Sequence, residues 1–185
     1  HISVETVAAY QVAGRLDMLV FLPIFSIAAS LTTLIGMFYG AKEYEALRFT
    51  IRYGILSALT ITIVSSCTVY IFASKVVSFF TQDESIILIA VNFLQLFTFV
   101  YPFIAVGITT GRVLQGLGKG LPVLVITVVR VLGVSAPLSL FFIFVMDKSV
   151  EWVWYSMMLS TVVAFAIGLT WLVSTVKKLP VKNTV

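Results

Sequence analysis

The chain has 185 residues, of which 60% are hydrophobic and 11% charged, and its 12 Lys and Arg against 8 Asp and Glu give a formal net charge of +4. Soluble domains carry about 25% charged residues, and one of this length cannot bury so much apolar side chain, because surface grows too steeply with mass. Composition therefore excludes an ordinary soluble domain, a disordered chain and a disulfide scaffold, and leaves a polytopic membrane protein.

Five apolar runs are predicted as membrane-spanning helices, at residues 7–38, 47–73, 86–109, 121–145 and 151–175, with a polar tail at 176–185. Each run exceeds the roughly 20 residues that a crossing helix needs. Many positions hold Val, Ile, Thr and Phe, which favour strands in water. In lipid an open strand leaves its backbone unpaired, and barrel strands are only ~10 residues long and alternate in polarity.

The first run carries Arg15 and Asp17. Ionisable groups are expensive in hydrocarbon and mark function. Two residues apart, they lie on different helix faces. The run would be about 48 Å long as a helix, against a hydrocarbon core of ~30 Å. A place for Asp17 near the headgroups thus stands beside one facing a cavity, where it would carry a proton or cation. The second run holds the single cysteine, Cys67, read as an inert core position. Asp83 and Glu84 precede the third run, where the helix dipole favours acids.

In the third run Asn92, Gln95, Thr98 and Tyr101 step by three as one polar stripe, either lining a cavity or joining helices by hydrogen bonds. Gly107 and Gly111 read as a close-packing pair. The glycine-rich turn at 116–120 has no preceding strand and no following Lys-Ser/Thr, so it is not a phosphate loop. Arg130 lies ten residues into the fourth run, placed to meet an anion, pair with an acid, or reach back to the interface. Pro23, Pro102 and Pro137 interrupt the first, third and fourth runs, each removing a backbone hydrogen bond and permitting a kink. Trp152, Trp154 and Tyr155 open the fifth run as an interfacial belt.

Lys42, Arg48, Arg52, Arg112, Lys119, Lys177, Lys178 and Lys182 fall on one side of this topology, and only Lys75 and Lys148 on the other. Basic residues favour the cytoplasmic side, so the N-terminus is expected outside and the C-terminus inside. The chain opens on His1 with no basic stretch before its first apolar run, so no signal peptide is expected and it reads as a piece of something longer. One further helix before His1 would complete a six-helix unit, half of a typical secondary transporter. His1 is the only histidine, which excludes a His/Cys metal site and any His-based triad or dyad. With no Cys–base pair and no paired acids on one face, a membrane-embedded enzyme is not expected and no catalytic residue is assigned.

The succession Val7-Ala8-Ala9-Tyr10, Gly14-Arg15-Leu16-Asp17, Leu22-Pro23, Gly36 and Gly40-Ala41 resembles the second helix of each six-helix lobe in the multidrug and toxic compound extrusion (MATE) family. Leu114-Gln115-Gly116-Leu117-Gly118, followed by Pro122, Arg130 and Pro137, is similar to that family's fifth-helix region. The resemblance covers about residues 4–178 and implies the last five helices of a C-terminal lobe. There are two departures. Met37-Phe38-Tyr39 replaces a stretch where many members have Gln and Asn, and the run at 86–109 lacks the cation-binding acid of some branches.

The resemblance implies an all-α integral membrane protein that exports organic, often cationic, drugs or toxins across the plasma or inner membrane in exchange for H⁺ or Na⁺. Asp17 is then the coupling candidate, Arg15 and Arg130 its ion-pair or cavity partners, and Asn92, Gln95 and Tyr101 the candidate cavity lining. No cofactor beyond the coupling ion, no metal and no nucleic acid are expected. The expected partners are the bilayer, an N-terminal lobe of the same polypeptide and a small organic substrate. The alternatives are a lipid-linked oligosaccharide flippase of the same superfamily, which needs several basic residues on its cavity, and a non-transporting five-helix scaffold subunit.

Overall fold

The computed structural model describes residues 4–146 and 151–180; the connector residues 147–150, with Lys148, and the tail residues 181–185, with Lys182, lie outside the described residues. The described chain is helical: α1 (Val4–Gly40), α2 (Tyr44–Ser78), α3 (Glu84–Thr98), α4 (Tyr101–Gly116), α5 (Gly120–Val145) and α6 (Glu151–Lys177). Taking α3 and α4 as one bent span, five spans are long and apolar enough to cross a membrane. Helices are the form in which such segments can pair every backbone group internally.

The helix expected at 86–109 is two helices, not one. α3 stops at Thr98, and α4 sets off from Tyr101 at 58° to it and runs on to Gly116. Pro102 explains the break. In the first turn of α4 its missing N–H costs nothing, whereas in a continuous helix its ring would strike the carbonyl of Thr98. At the other end of α3, Asp83 is the N-cap, its Oδ1 accepting from the backbone N–H of Ser85 at 2.9 Å and Ile86 at 3.3 Å.

The other prolines act differently. α1 passes through Pro23 without a break. α5 reaches Pro137 through a π-helical stretch, Val129–Ser135, in which Arg130 lies, and a second π-helical stretch, Phe141–Val145, follows. The wider turn removes the carbonyl that an α-helix would press against the ring of Pro137.

Two helix ends close alike. Lys119 N–H donates to Leu114 O at 2.8 Å and Gly118 N–H to Gln115 O at 2.9 Å, with Gly118 at φ +74°. Glu43 N–H donates to Phe38 O at 2.9 Å and Lys42 N–H to Tyr39 O at 3.2 Å, with Lys42 at φ +59°. Both are Schellman closures, which satisfy the last carbonyls of a helix before the chain turns.

α1 is the central element, packing on α2, α3 and α4, while α5 packs chiefly on α4 and α6. One apolar cluster joins Ala13, Leu16, Phe21, Phe93 and Tyr101. A second, at the other end of α1, joins Leu31, Ile35, Leu47, Leu114, Leu117 and Leu172. This second cluster puts the end of α1, the start of α2, the α4–α5 turn and the end of α6 together. Lys42, Arg48, Arg52, Arg112, Lys119, Lys177 and Lys178 all belong to that end, and Arg48 Nη2 donates to Leu179 O at 2.9 Å.

Close helix approach occurs at glycines other than the expected pair. A Cβ on Gly54 would stand 2.5 Å from Leu31 Cδ1, and one on Gly116 would stand 2.7 Å from Thr32 O and 2.9 Å from Ile35 Cβ. A Cβ on Gly107 would have nothing within 4 Å, and one on Gly111 only an ordinary contact with Val123. Other expectations are corrected too. Cys67 is exposed on α2 rather than in the core. Trp154 packs on Phe93 of α3 in a T-shaped contact with centroids 5.2 Å apart, whereas Trp152 and Tyr155 lie together at 5.7 Å.

Overpacking against a fixed backbone costs ~1–3 kcal/mol, whereas an unhindered Gly→Ala in a helix gains up to ~1 kcal/mol. Gly116→Ala is therefore expected to lower the melting temperature in detergent, and Gly107→Ala to hold or raise it.

Candidate functional site

Asp17 lies on the stripe of α1 formed by Ala13, Ile24, Ala28, Leu31 and Ile35, spaced to face the neighbouring helices. It is half-buried. Across from it stands Tyr101, fully buried, at the first position of α4 just after the break. The phenol O–H of Tyr101 donates to Asp17 Oδ1. Phe21, one turn along from Asp17, meets the Tyr101 ring edge-on with centroids 5.2 Å apart. The bend at Pro102 thus aims the phenol, and the apolar cluster keeps the pair away from other polar groups.

Asp17 has no basic partner among the described residues. Arg15 is exposed on a different face of α1, as its spacing from Asp17 predicts, and neither Arg15 nor Arg130 makes the expected ion pair with Asp17 among the described residues. Nor do the stripe residues act together. Asn92 is exposed, Gln95 Nε2 donates across to Tyr70 O of α2 at 3.3 Å, and Thr98 Oγ1 donates back to Gln95 O at 2.7 Å. Tyr101 faces α1. None of Asn92, Gln95 and Tyr101 lines the cleft described next. Among the described residues no group of three His, Cys, Asp or Glu side chains gathers in a metal-binding arrangement.

Arg130 lies on a second feature. Between α4, α5 and α6 runs a cleft of about 360 Å³, backed by Phe25 of α1. Its polar wall is Arg112, Gln115, Thr127 and Arg130, and Gly107 and Gly111 form part of its floor. Arg112 Nη1 donates to Gln115 Oε1 at 3.3 Å, and Arg130 has no hydrogen bond or ion pair among the described residues. Sequence reasoning missed two links. Tyr101 reaches an acid 84 positions away, which no local spacing encodes. Arg112 counted only as a topology charge, although its i, i+3 spacing to Gln115 was a usable sign of a shared face.

Residues 1–141 match the MatE family model. A probable multidrug resistance protein NorM of Thermotoga maritima is 29% identical over 147 residues, covering 78% of this chain and 30% of that protein. Among solved structures, an inward-facing multidrug resistance MATE family transporter of the MOP superfamily matches with a TM-score of 0.84 and 26% identity, over 97% of this chain and 41% of the other. An outward-facing one matches with a TM-score of 0.85 and 25% identity, over 96% and 40%. The chain thus spans less than half the length of these relatives, and its helix arrangement fits both conformations about equally well.

Interhelical hydrogen bonds inside membranes are worth ~0.6 kcal/mol on average and up to ~1.7 kcal/mol. Tyr101→Phe keeps the ring packing and removes the donor, so it is expected to cost about that much in a reversible unfolding measurement. In an Asp17→Ala background the same change should cost close to nothing.

Proposed function

The chain belongs to the MatE family, and on that basis we propose that it forms one lobe of a secondary active transporter, set in the plasma or inner membrane, that exports organic compounds in exchange for protons. The observation that carries this reading is the Asp17–Tyr101 pair, a carboxylate inside a membrane span held by a phenol and by no cation among the described residues. A coupling ion drives a conformational change only if it binds one state better than the other. A carboxylate between α1 and a bent α3–α4 span meets that demand, because straightening or bending at Pro102 alters its phenol partner and its access to water. Protonation cancels the charge, and deprotonation restores a strong acceptor for the Tyr101 O–H. A proton suits the site better than Na⁺, since hard cations prefer several oxygen ligands and, among the described residues, the side-chain partner of Asp17 is the single Tyr101 hydroxyl.

The gathering of seven basic residues at one end supports an orientation with that end in the cytoplasm, N-terminus outside and C-terminus inside. A second lobe of the same polypeptide would supply the opposite wall of the transport path, and the bilayer and a small organic substrate complete the set of partners. The similar fit to inward- and outward-facing relatives supports a change confined to local bending, with the packing of the lobe's helices kept.

In the transporter that carries this lobe, Asp17→Asn is expected to reduce proton-driven efflux of a fluorescent organic substrate at least tenfold, with expression and melting temperature retained. Asp17→Glu should keep part of the activity. Undiminished efflux by Asp17→Asn would remove Asp17 from the coupling step.

A further inference from the structure

The cleft between α4, α5 and α6 carries two guanidinium groups and no carboxylate. Arg112 lies four residues before the end of α4, about 6 Å along the helix axis, and Arg130 lies ten residues into α5, about 15 Å deep. Of the five N–H donors that each arginine offers, Arg112 uses one on Gln115 and Arg130 uses none among the described residues. Both side chains are exposed within this lobe, and an unpaired cation inside a membrane span marks a binding path. The planar fork of arginine matches a phosphate or carboxylate and accommodates loss of water better than an ammonium does.

Apart from Thr161, whose hydroxyl returns to Met157 O at 2.9 Å, the rest of the lining is apolar and graded along α4. Beyond Gly107 the walls are Phe103 and Phe165, in edge contact with centroids 5.2 Å apart. The cleft is therefore amphipathic along its length, cationic towards the α4–α5 turn and aromatic towards the start of α4. Its volume falls in the range of small-molecule sites. Gly107 holds this space open, since a Cβ there would meet nothing within 4 Å. The π-helical turn fixes Arg130 on the lining, and such turns recur at functional sites.

We propose that this cleft binds a phosphate-bearing amphiphile, with its anionic head between Arg112 and Arg130 and its apolar part over Gly107 against the paired rings of Phe103 and Phe165. The head chemistry is common to an anionic membrane lipid and to a soluble organic phosphate. The inference goes beyond the coupling role of Asp17, because binding in the cleft needs no gradient.

The test is equilibrium binding to the purified full chain, with palmitoyl-oleoyl phosphatidylglycerol and phosphatidylcholine of the same acyl chains read by native mass spectrometry, and inorganic phosphate read by thermal shift. Phosphatidylglycerol is expected to bind at least tenfold more tightly than phosphatidylcholine. Arg112→Gln and Arg130→Gln should each weaken it about tenfold. Gly107→Leu, which grows into open space, should block it with the melting temperature kept. If inorganic phosphate stabilises the wild type and neither arginine variant, the head site stands and its source is a soluble phosphate compound. If it has no effect while phosphatidylglycerol binds, the source is the bilayer. Equal binding of the two lipids together with no arginine-dependent phosphate effect would overturn the proposal, as would phosphatidylglycerol binding that survives both arginine changes. Efflux reads Asp17 and binding reads the cleft, so either proposal can fail while the other holds.

Discussion

Hydrocarbon offers no partner for a backbone N–H or C=O, and every feature of this fold answers to that constraint. It turns runs rich in Val, Ile, Thr and Phe into helices. It also governs many of the hydroxyls, which return to a carbonyl of their own helix: Thr62 Oγ1 donates to Ala58 O at 2.6 Å, Thr109 to Ala105 O at 2.7 Å and Thr170 to Ala166 O at 2.7 Å. Such residues satisfy themselves and free the helix surface for packing. Where the ladder is broken, something local takes over. Pro102 costs little because a new helix starts there, and Pro137 is absorbed by a π-helical turn.

Without water to drive helices together, association rests on close packing and a few polar contacts. α1 supplies both. Leu31 fills the space over Gly54, and the backbone at Thr32 lies against Gly116, so α2 and α4 approach more closely than larger side chains would permit. Thr32 Oγ1 also reaches Arg112 O at 3.3 Å. At the other end of α1 the contact becomes polar, through Asp17 and Tyr101.

The sequence made legible whatever depends on local pattern. Run lengths revealed five spans, loop charges revealed the shared end of seven basic residues, and the placement of Asp17 within an apolar run marked it as unusual. Features that depend on which helices meet stayed out of reach. The stripe from Asn92 to Tyr101 is continuous only in an unbroken helix, and the 58° bend at Pro102 separates Tyr101 from the other three. The proline was visible, but a kink and a restart look alike in one dimension. Gly107 and Gly111 have the spacing of a packing pair yet face a cleft, where a Cβ on Gly107 would meet nothing within 4 Å and one on Gly111 only Val123 of α5. Arg130 was legible as a cation inside an apolar run, whereas the cation that shares its cleft is Arg112, from another helix.

α4 is where the two polar features meet mechanically. Its first residue, Tyr101, holds Asp17 of α1, and its opposite end carries Arg112 and Gln115 on the cleft. Sixteen residues make it about 24 Å long, and an α-helix of that length moves as a rod. The compliant points lie at its ends, the Pro102 break and the Gly118 turn. Tyr101 and Arg112 thus share one helix, while Arg130 stands on another. Coupling between separate sites requires an element with two arrangements that both sites bias. In this fold α4 is the element in contact with both Asp17 and the arginine cleft.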